Sequence, residues 1–283
     1  CAVIFQSHVW SAVHALRYER LRREIGDLAD CHILFHAPTD PDLRAKVAAY
    51  PEAQFFETEA LQQTLGYRFL RQQKIVPGSA HFPILEFSRR HAYDRYWLIE
   101  SDVEFSGNWS ELIKQTSNSD AHFITSHIRS YVETPTNMWW RSLSAPVDPP
   151  SAASDDWRCM AFLPVARFSA QALHTLDRAH QLGWRGHAEA LIPSVLRQAG
   201  FEMADLRQFG AFYQPQSKDL AARTTYRGSM RWRPVISINE FAQHWAPDTL
   251  YHPVKSDWTY GPEGVPRERQ GRLKTLSTER LHR

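Results

Sequence analysis

The sequence predicts an α/β fold: a single domain on a mostly parallel central sheet, with helices on both faces. Three observations lead there. Short apolar runs alternate with segments of helical spacing through the first hundred residues, the signature of parallel strands joined by crossover helices. The chain has 283 residues, 43% of them hydrophobic and 12% aromatic, enough to bury one large core. Its formal charge of +2 is nearly balanced and no low-complexity or repeated segment occurs, which argues against a disordered chain and against a basic nucleic-acid surface.

The elements follow in order. "CAVIFQS" opens the chain as a short apolar run and reads as a buried strand. In "HVWSAVHALRYERLRREIGDLAD", Val9, Val13, Leu16, Leu21, Ile25 and Leu28 recur at helical spacing and predict the buried face of a helix that Gly26 ends. Arg17 and Arg22 of that helix are expected in solvent. "CHILFHA" is a second strand, and Asp40 before Pro41 caps a helix through "DLRAKVAAY". "QFFET" is a third, shorter strand. "PGSAHFPILEFSRRHAYD" reads as a Gly-Ser turn and a helix leading into the strand "YWLIE".

Beyond it, "WSELIKQTS" is a helix and "DAHFITSHI" a strand. "NMWWRSLSAPVDPPSAASDDW" is a long Pro/Ser/Ala-rich loop, of a length that usually marks function or disorder. "RCMAFLPVARFS" resumes the sheet, and "SAQALHTLDRAHQL" and "HAEALIPSVLRQAG" are helices. After "EMADLRQ" the regular pattern fades. Residues 1–260 are expected to form the domain, and 261–283, charged and weakly apolar, a C-terminal tail. Cys1, Cys31 and Cys159 are scattered without a CxxC pair and read as buried thiols rather than disulfide or metal partners. No apolar run approaches about 18 residues, so no membrane span is expected in this chain. The expected location is cytoplasmic, becoming Golgi-type or membrane-associated if an anchor precedes Cys1.

The chemistry concentrates in "YWLIESDVEF", residues 96–105. Ligands of open α/β sheets bind outside the carboxyl ends of the strands, where Glu100 and Asp102 fall. In an extended segment residues i and i+2 point to one side, so both carboxylates could converge on a hard divalent cation. Gly107 then permits a sharp turn. Taken alone, such a pair is also what a solvated acidic turn looks like. A second stretch, "TLYHPVKS", places His252 and Lys255 beside a stiffening Pro253. A neutral imidazole with carboxylates suits Mn²⁺, and a lysine supplies a point charge for a phosphate. His252 is one of 14 histidines, however, and on its own fits an ordinary turn.

Together, "YDRYWLIESDVEFSGNW" and the distant "LYHPVK" resemble the nucleotide-sugar-dependent glycosyltransferases of the GT-A fold. The nearest pattern is a poorly characterised group with an (I/V)E-x-D-V-x-(F/Y)-(S/T)-G-x-W signature. The resemblance spans roughly residues 1–260, although its specific motifs cover only about 20. It implies Mn²⁺ or Mg²⁺ held by Asp102, with Glu100 and His252 as further ligands, and a nucleotide-diphosphate sugar, a UDP-sugar, as donor. Glu stands where the family's first motif position carries Asp, so Glu100 is assigned either to metal or to ribose. The resemblance also implies Gln6 and Ser7 on base and ribose, Lys74, Ser79 and His81 on uridine or phosphates, and Glu100, Ser101 and Lys255 on the nucleotide.

"GWRGHAEALIPSVL" places Glu189 at a helix start after Gly183 and Gly186, where inverting members often hold the acceptor's base. With a metal-stabilised diphosphate leaving group, one base suffices, unlike the carboxylate pair of a glycosidase. Asp155 and Asp156 are rival bases and His187 a weaker one; equally, Glu189 fits a first-turn carboxylate favoured by the helix dipole. Trp139, Trp140 and Trp157 flank the Pro/Ser loop, either as sugar-stacking indoles or as buried aromatics. The expected activity is hexosyl transfer to a carbohydrate or other hydroxyl acceptor, with inversion. The alternatives are a catalytically inactive GT-A-like carbohydrate-binding or scaffold protein, and a nucleotidyltransferase. The latter normally needs a Gly-rich loop after the first strand, which "FQSHVW" lacks.

Overall fold

The computed structural model describes residues 1–37, 40–67, 78–146, 157–214, 228–255, 258–260 and 266–268. These residues gather into two compact units, one of Cys1–Ser101 and Trp109–Gly210, the other of Asp102–Asn108 and Ala211–Arg283.

The first unit is an α/β structure on a seven-stranded, mostly parallel sheet. Strand β1 (Ala2–Ser7) is buried along its whole length, as its uninterrupted apolar run predicts. It is followed by helix α1 (Ala12–Ile25), β2 (Asp30–His36), α2 (Pro41–Ala48), β3 (Ala53–Phe56), α3 (Thr58–Leu65), α4 (Phe82–Arg90) and β4 (Arg95–Glu100). The Asp40 cap is in place, its carboxylate accepting from the N–H groups of Asp42 and Leu43. Helix α3 was not visible as a separate element in the sequence.

The stripe expected on α1 is only partly correct. Leu21 and Ile25 are buried, but Val9 precedes the helix and is 43% exposed, and Leu16 is 70% exposed. The buried face instead includes Tyr18 and Arg17, so Arg17 is not in solvent. Apolar spacing alone cannot register a buried arginine whose cost is met by a hydrogen bond.

Elements of the second unit alternate with those of the first along the chain. Strand β5 (Glu104–Phe105) belongs to the second; α5 (Trp109–Ser117), β6 (Phe123–Ser130), β7 (Cys159–Ser169), α6 (Ala170–Leu182), α7 (Ala188–Gln198) and β8 (Met203–Asp205) complete the first. The sheet order is β3-β2-β1-β4-β7-β6-β8, with β7 antiparallel to both its neighbours and the other pairs parallel. Connections from β1 run to β2 on one side, whereas β4 lies on the other. The carboxyl ends of β1 and β4 are therefore the sheet's switch point, where ligands of open α/β sheets bind.

The second unit consists of β5, β9 (Ile236–Ser237), α8 (Ile238–His244), β10 (Leu250–Tyr251), β11 (Val254–Lys255), β12 (Trp258–Tyr260) and β13 (Pro266–Glu268). Three two-stranded ladders tie it together: β5 with β10, β9 with β11, and β12 with β13. No helix among the described residues is long and apolar enough to cross a membrane.

Candidate metal and nucleotide site

At the switch point of the first unit, Gln6 and Glu100 are register partners on adjacent parallel strands. Gln6 is 9% exposed, and its Nε2 donates to the carbonyl of Ala80 at 2.7 Å. That carbonyl only accepts, which fixes the orientation of the carboxamide. Gln6 Oε1 is left buried, with no partner among the described residues. Strand β4 stops at Glu100, and Ser101 and Asp102 form a turn, so the extended i, i+2 alternation expected to align the two carboxylates does not continue through Asp102.

Ser7 and Ser101, expected against the nucleotide, turn inward. Their hydroxyls share a 2.8 Å hydrogen bond, and both residues are buried. His81 is also buried, at 2% exposed, and its Nε2 lies 2.9 Å from His180 Nε2. His180 Nδ1 faces the carbonyl of Trp184 and must donate to it, so the neutral pair is bonded by His81 Nε2–H donating to His180. Burial, and then the second imidazole, push His81 well below the usual histidine range. His81 Nε2 is thus spent on a core hydrogen bond, while its buried Nδ1 has no partner among the described residues. Ser79 is half-buried at the turn before α4, and its carbonyl accepts from Phe82 N. Lys74, Asp155 and Asp156 lie outside the described residues.

Glu189 occupies the first turn of α7 and is half-buried. His187 caps this helix, its Nδ1 accepting from Glu189 N at 3.4 Å and lying 3.9 Å from the Glu189 carboxylate. The His187 ring stacks on Trp139 at 3.7 Å between centroids, and burial lowers its pKa to about 4. A Cβ on Gly78 would fall 2.3 Å from the His187 ring, which explains a glycine there. Gly183 and Gly186 before α7 each have a backbone reason. Gly183 ends α6 in the left-handed region, and Gly186 passes close under the backbone of Leu143. Trp140 is buried and donates to Thr134 O, and Trp157 packs edge-on against Trp184.

The second unit brings together three expected residues, although His252 lies 150 positions after Asp102 in the chain. Asp102 Oδ1 lies 3.3 Å from His252 Nε2, and Asp102 Oδ2 lies 3.2 Å from Lys255 Nζ. Backbone ladders hold this geometry. Val254 N donates to the carbonyl of Asp102 at 2.8 Å, while β10 pairs with β5, two residues beyond Asp102. His252 is 7% exposed, with its N–H on the Ser229 carbonyl and its own carbonyl accepting from Arg231 N. Its Nδ1 lies 2.9 Å from the Arg231 carbonyl and donates to it. That leaves Nε2 facing Asp102: protonated, it donates to the carboxylate, and neutral, it offers a lone pair to a cation, the orientation that outer-sphere hydrogen bonds give metal-binding imidazoles. Burial pushes the Asp102 carboxyl up, but the charges of His252 and Lys255 outweigh it and hold it well below the usual carboxylate range.

Gly107 lies in a bend, as expected, and a second constraint on it was hidden in the sequence. An added Cβ would sit 2.6 Å from both the Phe105 ring and the Asp248 carboxylate, so glycine is required by close approach. Sequence reasoning missed Arg17, which donates from Nη1 to the Ser101 carbonyl at 2.8 Å, and Arg231, whose backbone orients His252. Neither has a sequence signal beyond its residue type.

No protein-family model matches this chain, and no curated protein matches it. Solved structures do. Glucosyl-3-phosphoglycerate synthase from Mycobacterium tuberculosis, in complex with Mn²⁺, UDP and glucosyl-3-phosphoglycerate, aligns at a TM-score of 0.40 and 15% identity over 72% of this chain and 69% of that one. The same enzyme with Mn²⁺, UDP-glucose and glycerol 3-phosphate aligns at 0.39 and 14% identity, with the same coverage. A structure described only as a mycobacterial protein aligns at 0.41 and 13% identity, over 72% of this chain and 65%, less than two thirds, of the other.

Proposed function

We propose that this chain is a divalent-metal-dependent glycosyltransferase of the GT-A type, moving a hexosyl group from a nucleotide-diphosphate sugar to an acceptor hydroxyl. The observation that carries it is the Asp102 carboxylate set between the His252 imidazole and the Lys255 ammonium, with His252 oriented by the Arg231 carbonyl. A carboxylate and a neutral imidazole are donors that suit Mn²⁺, and Mg²⁺ would rely more on oxygen. Asp102 and His252 would hold the cation. Glu100, two residues earlier in the chain, is proposed as a second carboxylate for it or as a ribose contact. Once bound, the cation supplies charge stabilisation for the departing diphosphate.

The remaining roles belong to this chain's own groups. Lys255 would leave its contact with Asp102 for a phosphate oxygen, a single-point electrostatic contact. Gln6, whose buried Oε1 has no partner among the described residues, would accept from an N–H of the nucleobase and recover the cost of an unmet buried acceptor, about 1–3 kcal/mol. Glu189 is proposed as the base that takes the proton of the acceptor hydroxyl, giving direct displacement with inversion. Its first-turn position favours the ionised carboxylate.

Thermal shift with UDP, with and without Mn²⁺, followed by a nucleotide-sugar panel assayed for metal-dependent hydrolysis, tests this reading. Stabilisation by UDP only when Mn²⁺ or Mg²⁺ is present supports it. The absence of any UDP or metal response would reduce the Asp102–His252–Lys255 group to an ion-pair network.

A further inference from the structure

Ser101 sits between the two carboxylates of the acidic turn, and each of its polar groups is engaged within the first unit. Its N–H donates to the Gln6 carbonyl at 3.1 Å, its hydroxyl meets Ser7 Oγ at 2.8 Å, and its carbonyl accepts from Arg17 Nη1 at 2.8 Å. The first two bonds come from β1, next to β4 in the sheet. The third comes from α1, and from a residue only 8% exposed. Ser101 is thus clamped from two elements, and its carbonyl belongs to the peptide group that continues into Asp102.

We propose that Arg17 is a positioning residue for this acidic turn: its guanidinium fixes the plane of the Ser101–Asp102 peptide, the link through which the end of β4 passes into Asp102. The inference rests on the metal and nucleotide reading given above. Burying a guanidinium costs hydration that its hydrogen bonds must return. An apolar side chain would fill the same helical position without that penalty. The sequence places three carboxylates, Glu100, Asp102 and Glu104, within five residues. The Arg17 guanidinium is bonded to the peptide inside that segment. Its planar fork also locks the carbonyl direction better than an ammonium would.

Arg167 provides the contrast. It is 1% exposed, lies on β7, and donates to the carbonyls of Thr116, Ser119 and Ala121 at and beyond the end of α5. Those bonds close a helix end and touch no strand-end carboxylate. Arg167 is accordingly the internal control for a buried arginine whose work is stability.

The test compares Arg17→Met, Arg17→Lys, Ser7→Ala and Arg167→Met by melting temperature and by calorimetric affinity for UDP at saturating Mn²⁺. Arg17→Met should weaken Mn²⁺-dependent UDP binding by roughly 10–100-fold, the range seen when partners of metal ligands are removed. Arg17→Lys, which keeps the charge and a donor, should recover most of it. Arg167→Met should lower the melting temperature and leave the affinity as in wild type. A folded Arg17→Met protein with wild-type affinity overturns the proposal and leaves the metal site standing. Ser7→Ala, which loosens the same clamp from β1, should weaken binding less; if Arg17→Met does not fold, the shorter, uncharged Arg17→Gln takes its place, and wild-type affinity in that variant overturns the proposal. A wild-type protein that binds no UDP with Mn²⁺ removes the underlying reading, and this proposal with it.

Discussion

Replacing Asp102 by Asn tests the centre of the site with little change in volume. The carboxylate faces Lys255 Nζ at 3.2 Å, and at an effective dielectric near 20 a full charge pair at that distance attracts by about 5 kcal/mol before desolvation. Most of this is cancelled by lost hydration. Exposed pairs retain roughly 1 kcal/mol or less, and breaking fully buried ones costs about 3–5 kcal/mol. The Asp102 side chain is 21% exposed and lies between these limits, so Asp102→Asn should cost about 2 kcal/mol, because Lys255 and His252 are left facing a neutral amide. For a chain of this size that lowers the melting temperature by roughly 4–8 °C. In the wild type, UDP with Mn²⁺ at about 100 times the dissociation constant should add about 2.7 kcal/mol, raising the melting point by roughly 5–10 °C. In Asp102→Asn that rise should vanish. Differential scanning calorimetry with and without both ligands reads both effects. An unchanged melting point in the ligand-free variant would refute the electrostatic account, and a preserved Mn²⁺-dependent rise would refute the metal assignment.

Further outcomes follow from other parts of the chain. Glu189→Gln should keep UDP-sugar affinity and lose about 10²–10⁴-fold in transfer rate; a wild-type rate, or a product that NMR shows with the donor's anomeric configuration, rules out the inverting role of Glu189. Gly107→Ala should destabilise by about 1–3 kcal/mol through overpacking against Phe105 and Asp248, which urea unfolding measures directly. Burial lowers His180 and His187 to about 4, against about 6.5 in an unfolded chain, so the unfolded state binds more protons between those values. Stability should then be full above pH 6.5 and fall as pH drops towards 4, with a slope approaching about 1.4 kcal/mol per pH unit for each group. Urea titrations across that window should show a shallower slope for His180→Gln, and a flat profile in the wild type would contradict the buried neutral pair.

Strands β1, β2 and β4 were legible because each is an apolar run bounded by turn or helix signals, and a strand buried on both faces needs no alternation. The cap at Asp40 was legible because its chemistry is local. What remained hidden has a common cause. Strands β5, β9, β10 and β11 are two residues each, too short to carry any period, and exist through backbone pairing with distant segments. The exposed Leu16 and the buried Arg17 are neighbours on one helix, and their burial depends on what lies opposite each face.

The same distinction separates the site residues. Ser7, Ser101 and His81 were placed at strand and helix ends, where polar side chains often meet ligands, yet the two serine hydroxyls bond each other and His81 spends its Nε2 on His180. Polar character at a strand end therefore does not identify a contact; its unspent hydrogen-bonding capacity does. Gln6 keeps such capacity, since one end of its carboxamide is fixed on Ala80 and its buried oxygen has no partner among the described residues, and so does His81 at its buried Nδ1. Asp102 differs again. It is fully engaged, but by two groups that a metal–diphosphate complex can displace or share, a Lys ammonium and an imidazole whose other nitrogen is already committed to the backbone. A carboxylate proposed to bind a cation needs counter-charge until that cation arrives. For Asp102, the His252 and Lys255 side chains provide it, both from the segment that β11 ends.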